Sequence, residues 1–172
     1  MSITYTFYGT LVAAAEYFDN RLFSDAWDDA STTNRQKALI AATRIIDALN
    51  FKGDKATVYA AKEADDDIED EDVRAAEAAQ VLEFPRGEDT EVPAAIEQAC
   101  YEIAFSLLDG RDVDMELEAL AISSQGIESV RTTYSRNQTP IEHMINGVVS
   151  SSAWRLLKPF LRDDASIKLI RV

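Results

Sequence analysis

The sequence predicts a mainly α fold: a helical core, then an extended β-ribbon arm and a C-terminal tail. Three observations predict it. Apolar residues recur at three- and four-residue spacing through two long segments, 38–49 and 96–108. From Ser123 the composition turns to Ser, Thr, Gly, Val, Tyr and Arg, which favours extended chain over helix. Charge also divides along the chain. Residues 1–130 hold 28 of the 31 acidic side chains and 10 of the 17 basic ones, a balance of -18, whereas residues 131–172 carry +4. With 172 residues, 47% of them hydrophobic, the chain suits one helical core over 1–122, with an acidic excursion at 56–80, and a second part over 123–172. That second part would hold the ribbon arm, a short helix and the basic tail.

Each element has its own warrant. Thr10 precedes Leu11, Val12, Ala14, Ala15 and Phe18, an N-cap followed by a helical stripe. Residues 25–30, around Trp27, suit one further turn. Thr32 or Thr33 then caps the best helix in the chain, in which Ala38, Leu39, Ala42, Ile45, Ile46 and Leu49 share a face and Gly53 supplies a stop. Between 56 and 80 the composition becomes Ala, Asp and Glu, with eight acids among the ten residues 63–72. Such density resists burial, so this stretch reads as a solvated, partly helical excursion, more helical from Val73 to Gln80. Pro85 closes a short apolar segment at 82–86, and Pro93 suits the first turn of the next helix. There Ile96, Ala99, Cys100, Ile103, Ala104, Leu107 and Leu108 keep core spacing until Asp109 and Gly110. A weaker helical pattern runs from Val113 to Ile122.

Residues 126–136 read as a strand or one arm of a hairpin, with Val130, Thr132 and Tyr134 on one face and Arg131 and Thr133 on the other. This segment has too little apolar surface to fold alone, so it is expected to lie on its own helices or on a neighbouring subunit. Ala153, Trp154, Leu156 and Leu157 form a short helix broken by Pro159. Residues 167–172 form a basic, β-branched terminus able to add to a partner's sheet edge.

Chemistry is sparse. His143 is the single histidine, beside Glu142, and reads as a surface or packing residue rather than a general base. No nucleophile has a base at motif spacing, no glycine loop cradles a phosphate, and no Cys or His cluster suggests a metal. Asp65, Asp67 and Glu69 alternate as calcium ligands do, but without the glycine and glutamate of an EF-hand loop. Cys100, the one cysteine, falls in an apolar helical pattern where a buried thiol is expected. No stretch reaches the roughly 18 apolar residues of a membrane span, and no basic-then-apolar leader opens the chain, so a soluble protein with no membrane partner is expected. A net charge of -14 opposes adhesion to phosphate backbones. Trp27 and Trp154 sit at helical apolar positions and read as core rather than base-stacking platforms. The expected class is therefore an assembly protein, not an enzyme, with no cofactor.

The order of these pieces carries a resemblance. Tyr8, Gly9 and Thr10 lead to Ala14, Tyr17, Phe18 and Trp27. The run from Lys37 to Thr43 continues to Ile46, Asp47 and the Phe51, Lys52, Gly53 close. Phe84, Pro85 and Arg86 follow, then Val92 and Pro93 and a helix with Glu97 and Ala99. The chain finishes with the 126–134 strand and Leu156, Leu157, Lys158, Pro159, Phe160 and Leu161. This combination resembles tailed-bacteriophage head-tail connector proteins of the adaptor type, often labelled DnaT-like single-stranded-DNA-binding proteins, over nearly the whole chain. The 56–80 excursion is longer than that pattern.

The resemblance implies a helical-bundle adaptor in the virion neck. It would form a roughly twelvefold homo-oligomeric ring, a dodecamer, under the portal protein and above a downstream neck or tail protein, after assembly in the host cytoplasm. The ring would extend the channel through which double-stranded DNA passes without sequence-specific binding. Arg131, Tyr134, Arg136, Arg155, Lys158, Arg162, Lys168 and Arg171 are the candidate contacts to the portal or a neighbouring subunit. Glu63, Asp65, Asp66, Asp67, Glu69, Asp70, Glu71 and Asp72 are candidates for the channel lining, or else face solvent. The alternatives are a single-stranded DNA-binding module, which needs a basic groove bearing aromatics, and another neck component such as a head-closure or tail-terminator protein.

Overall fold

The computed structural model describes residues 6–65, 67–121, 124–127, 130–133 and 142–162. The chain is mainly helical. Helix α1 spans Leu11–Asp19, and Thr10 caps it by accepting a hydrogen bond from the Ala13 N–H at 3.1 Å. The short α2, Asp25–Asp28, places Trp27 in the core. Helix α3 spans Thr32–Asp47, and its cap is Ser31, one residue before the expected threonines, accepting from the Asn34 N–H at 3.2 Å. Helix α6, Ala94–Leu108, begins directly after Pro93.

The pair α3 and α6 forms the spine of the molecule. Ala38, Leu39, Ala42 and Ile46 of α3 meet Ile96, Ala99, Cys100 and Ile103 of α6, and all eight are buried. Small residues at 38, 42, 99 and 104 let the helices approach closely while leucine and isoleucine fill the space between, each worth about 1.5–3 kcal/mol when fully buried. Phe18 packs between Trp27 and Phe105, with ring centroids 4.6 and 5.6 Å away. Both tryptophans are core residues.

The acidic excursion is more ordered than its composition predicts. It forms two helices, α4 at Ala56–Ala64 and α5 at Asp70–Ala79, packed on each other. Helix α5 begins three residues before the expected Val73, because Asp70, Glu71 and Asp72 occupy its first turn, where negative charge is stabilised by the exposed N–H groups and the helix dipole. Density of charge forbids burial here, not helix formation.

Helix α7 spans Val113–Ala121. The extended region is a two-stranded antiparallel pair, β1 at Ser124–Ile127 and β2 at Val130–Thr133, with Gly126 opposite Arg131. The segment 126–136, expected as a strand or one arm of a hairpin, thus contributes to both strands, with Ile127 opposite Val130. Tyr134 and residues 167–172, expected as a terminal strand, lie outside the described residues.

The last part returns to the core. Helix α8 is Glu142–Ile145, and α9 is Ser151–Leu157, followed by a 3-10 turn, Lys158–Phe160. Val148, Val149, Ala153, Trp154 and Leu157 join the same buried cluster as α3 and α6. Phe51 pairs with Leu161 in an antiparallel bridge, with the Lys52 N–H donating to Phe160 O and the Arg162 N–H to Asn50 O, both at 2.9 Å. The expected boundary at 122/123 therefore does not mark the edge of the core. Residues 142–162 carry enough apolar surface in a short helix to be pulled back onto α6.

Two polar clusters are built into this core. The Tyr8 N–H donates to Thr43 Oγ1 at 3.1 Å and its hydroxyl donates to Asp47 Oδ1, while the Phe84 and Glu83 N–H groups donate to Tyr8 Oη and Asp47 Oδ1. Burial raises the Asp47 carboxyl above its usual range, against these hydrogen bonds. On α6, Glu102 is only 6% exposed. Tyr17 donates to it at 2.7 Å and Arg21 pairs with it at 3.2 Å, so the buried charge is matched.

Candidate assembly surfaces

The residues singled out in the sequence fall into three groups. Arg155, Lys158 and Arg162 lie on or just after α9 and are exposed. Arg131 is on β2. Tyr134, Arg136, Lys168 and Arg171 lie outside the described residues, as does Asp66. Glu63, Asp65, Asp67, Glu69, Asp70, Glu71 and Asp72 are all exposed along α4, α5 and the turn between them. Asp65 Oδ1 accepts from the Asp67 N–H at 3.1 Å, so this carboxylate shapes the turn.

Folding brings two of these basic residues, Lys158 and Arg162, together with Lys52 in a cleft that the sequence did not reveal. Its volume is about 570 Å³, and Lys52, Lys158, Arg162, Leu49, Leu161 and Glu142 are among its lining residues. Lys52 arrives from the loop after α3, which the 51–161 bridge holds against the end of α9. Its ammonium donates to Pro159 O at 3.3 Å, across 107 positions of sequence. Lys158 pairs with Glu142 at 2.8 Å, and this bond holds the Glu142 carboxyl below its ordinary value. Among the described residues, Glu142 is the carboxylate lining the cleft, against three cations. The result is a positive concavity on a chain of net charge -14.

Phe84, Pro85 and Arg86 prove to be the clasp of this region. Arg86 Nε donates to Lys52 O at 2.9 Å, Nη2 donates to Gly53 O, and Nη1 meets Glu83 Oε2 at 2.6 Å. Phe84 packs edge-on against Phe51 and Phe160, with centroids 4.7 and 5.6 Å away. Lys55 adds a bond to Gln80 O at 3.1 Å and a pair with Glu83 at 3.2 Å. This network fixes the Lys52 loop and hence one wall of the cleft.

Sequence reasoning missed a second surface. Leu22 and Phe23, between α1 and α2, are 81% and 83% exposed. Their composition carries no sign of this, since an exposed and a buried Leu-Phe pair read alike. His143 is half-buried on α8, and burial holds its imidazole below its ordinary value, with Glu116 and Arg111 acting in opposite senses. Cys100 is buried, near Thr43 Oγ1 at 3.5 Å, and burial pushes its thiol up to about 12, far from a reactive thiolate. Among the described residues no group of His, Cys, Asp and Glu is placed to hold a metal, and no helix is long and apolar enough to cross a membrane.

Fold and surfaces together define a mainly helical protein with a basic cleft, an exposed acidic helical pair and a β-hairpin. The chain belongs to the family described as "Putative DnaT-like ssDNA binding protein", which it matches over residues 6–172. No curated protein and no solved structure matches it.

Proposed function

We propose that this protein is a structural component of the phage neck, an adaptor whose copies form a ring under the portal and extend the DNA channel. The observation that carries the reading is the cation cluster of Lys52, Lys158 and Arg162 on a strongly acidic chain. A protomer that presents a positive cleft and, elsewhere, a negative surface is suited to a heterologous contact, in which each copy offers one surface and receives another. The β1–β2 hairpin is the arm in this reading, lying across the adjacent protomer. Arg131, Arg155 and the residues of the tail add further positive charge toward the portal or the neighbouring copy. The acidic pair α4 and α5 faces the channel, where a negative wall keeps a polyanion from sticking.

The family description names single-stranded DNA, and that is the second reading. It requires aromatic faces beside cations. At the cleft the aromatic residue is Trp154, only 7% exposed, and the exposed Phe23 sits among acids, which weighs against this reading.

Light scattering of the purified protein, alone and with the cognate portal at low and high salt, tests the adaptor reading. A ring-sized species that weakens with salt is expected. Replacing Arg155, Lys158, Arg162, Lys168 and Arg171 with Ser should weaken assembly while leaving helical content intact. A monomer indifferent to the portal, paired with tight single-stranded DNA binding, overturns the reading.

A further inference from the structure

Phe23 combines two unusual properties. Its φ is +60°, in the left-handed region that bulky L-residues rarely enter, and its ring is exposed, as is the side chain of its neighbour Leu22. Isolated apolar residues at a surface are ordinary, but adjacent ones held in a strained conformation are not. The base beneath them is rigid. Arg21 pairs with Glu102 at 3.2 Å and lies over the Phe105 ring at 4.2 Å, and its N–H donates to Phe18 O. On the other side Trp27 is buried and its N–H donates to Ser24 O at 2.8 Å. The loop thus projects two apolar side chains from a fixed platform, and the exposed carboxylates of Asp19, Asp25, Asp28 and Asp29 lie on the segments flanking it.

The basic cleft is at the other end of the molecule's spine. Arg35, in the first turn of α3, donates to the carbonyls of Trp27 and Asp28 at 2.9 Å, which ties the Phe23 platform to the start of that helix. Ala48 and Leu49, just past its end, line the cleft. The 16 residues between span about 24 Å. The cleft offers Leu49 and Leu161 as apolar floor and Lys52, Lys158 and Arg162 as positive rim, and its volume of about 570 Å³ exceeds that of a phenylalanine side chain. The projecting loop offers apolar tips with a negative rim.

We propose that Leu22 and Phe23 of one copy enter the cleft of the next, with the carboxylates of Asp25, Asp28 and Asp29 facing Lys52, Lys158 and Arg162. This assigns the heterologous contact of the ring reading, on which it rests, to two specific surfaces. Because they occupy opposite ends of α3, a protomer can use both at once, and such head-to-tail contacts propagate until they close.

The test uses the full chain and mass measurement by light scattering. Phe23→Gly removes the tip and relieves the positive φ, so it should melt no lower than wild type while self-association falls roughly tenfold or more. The paired Lys158→Glu and Arg162→Glu variant should lose association to a similar degree with unchanged helical content. Each variant retains the surface that the other lacks, so an equimolar mixture should give a species of twice the monomer mass and nothing larger. If wild type assembles only on the portal, the same variants are read there. Rings formed normally by Phe23→Gly, or a mixture that stays monomeric, overturn this contact while leaving the ring reading standing. A wild-type protein monomeric both alone and with the portal overturns both.

Discussion

Arg86→Ala should cost about 3 kcal/mol of folding stability, and the structure sets that figure. The side chain is only 13% exposed and donates to the carbonyls of Lys52 and Gly53 while pairing with Glu83. A hydrogen bond from a charged donor contributes about 1.5–3 kcal/mol, and a carbonyl left without its donor costs about 1–3. Water reaches part of this loop, and Lys55 still neutralises Glu83 at 3.2 Å, so the low end of the sum applies. The Ala56 N–H to Pro85 O and Gly87 N–H to Asp54 O bonds survive and limit the damage to the clasp. Arg86→Lys should lose about 2 kcal/mol, since a single ammonium keeps the charge but cannot span two carbonyls and a carboxylate. In a chain of this size about 3 kcal/mol corresponds to a melting shift of roughly 6–12 °C. Urea unfolding followed by far-UV circular dichroism is the assay, with an unchanged dependence on denaturant confirming that the loss is in the folded state. Lysine matching wild type while alanine fails would mean that charge, not the fork of donors, holds the clasp. Both variants within about 0.5 kcal/mol of wild type would refute the clasp altogether.

Further outcomes follow from other elements. Gly9→Ala drives a Cβ into the Tyr101 hydroxyl and ring edge at a φ of +75°, so about 3 kcal/mol should be lost in thermal melts, with Tyr101→Phe restoring only part of it because the ring contact and the backbone strain remain. Burial and the Glu102 hydrogen bond push the Tyr17 hydroxyl up to about 12. Its folded value is above its unfolded one, so its contribution is complete below pH 10 and is lost as pH rises toward 12; a melting profile of Tyr17→Phe should be flatter across that window. On the adaptor reading proposed above, replacing Glu63, Asp65 and Asp67 by their amides should slow genome ejection from assembled virions, whereas unchanged ejection would place that run outside the channel.

The fold was legible wherever burial follows a local period. Ala38, Leu39, Ala42 and Ile46, and Ile96, Cys100 and Ile103, marked their helices because a helix packed along one line repeats its apolar residues at three and four. The cap at Ser31 was missed by one position because Ser31, Thr32 and Thr33 are chemically equivalent caps, and the choice among them depends on where the preceding turn leaves the backbone. The start of α5 is hidden in the sequence because eight acids in ten residues read first as repulsion, although three of them sit where a helix favours negative charge. Of the candidate site, Lys158 and Arg162 were found as basic residues in the last part of the chain. Lys52 was not, since nothing near it in sequence marks it out.

By itself the sequence determined the core helices α1, α3 and α6, the buried character of Cys100 and both tryptophans, the division of charge and the lack of catalytic motifs, all of which rest on composition and spacing within a few residues. Tertiary structure alone decided that residues 142–162 close the core, that Arg86 clasps the Lys52 loop, and that Lys52 meets Lys158 and Arg162 in one cleft while Phe23 stands exposed toward the opposite end of α3. Those outcomes depend on which surfaces bury each other across long stretches of chain, and the free energy of such pairings belongs to the whole packed core rather than to any local segment.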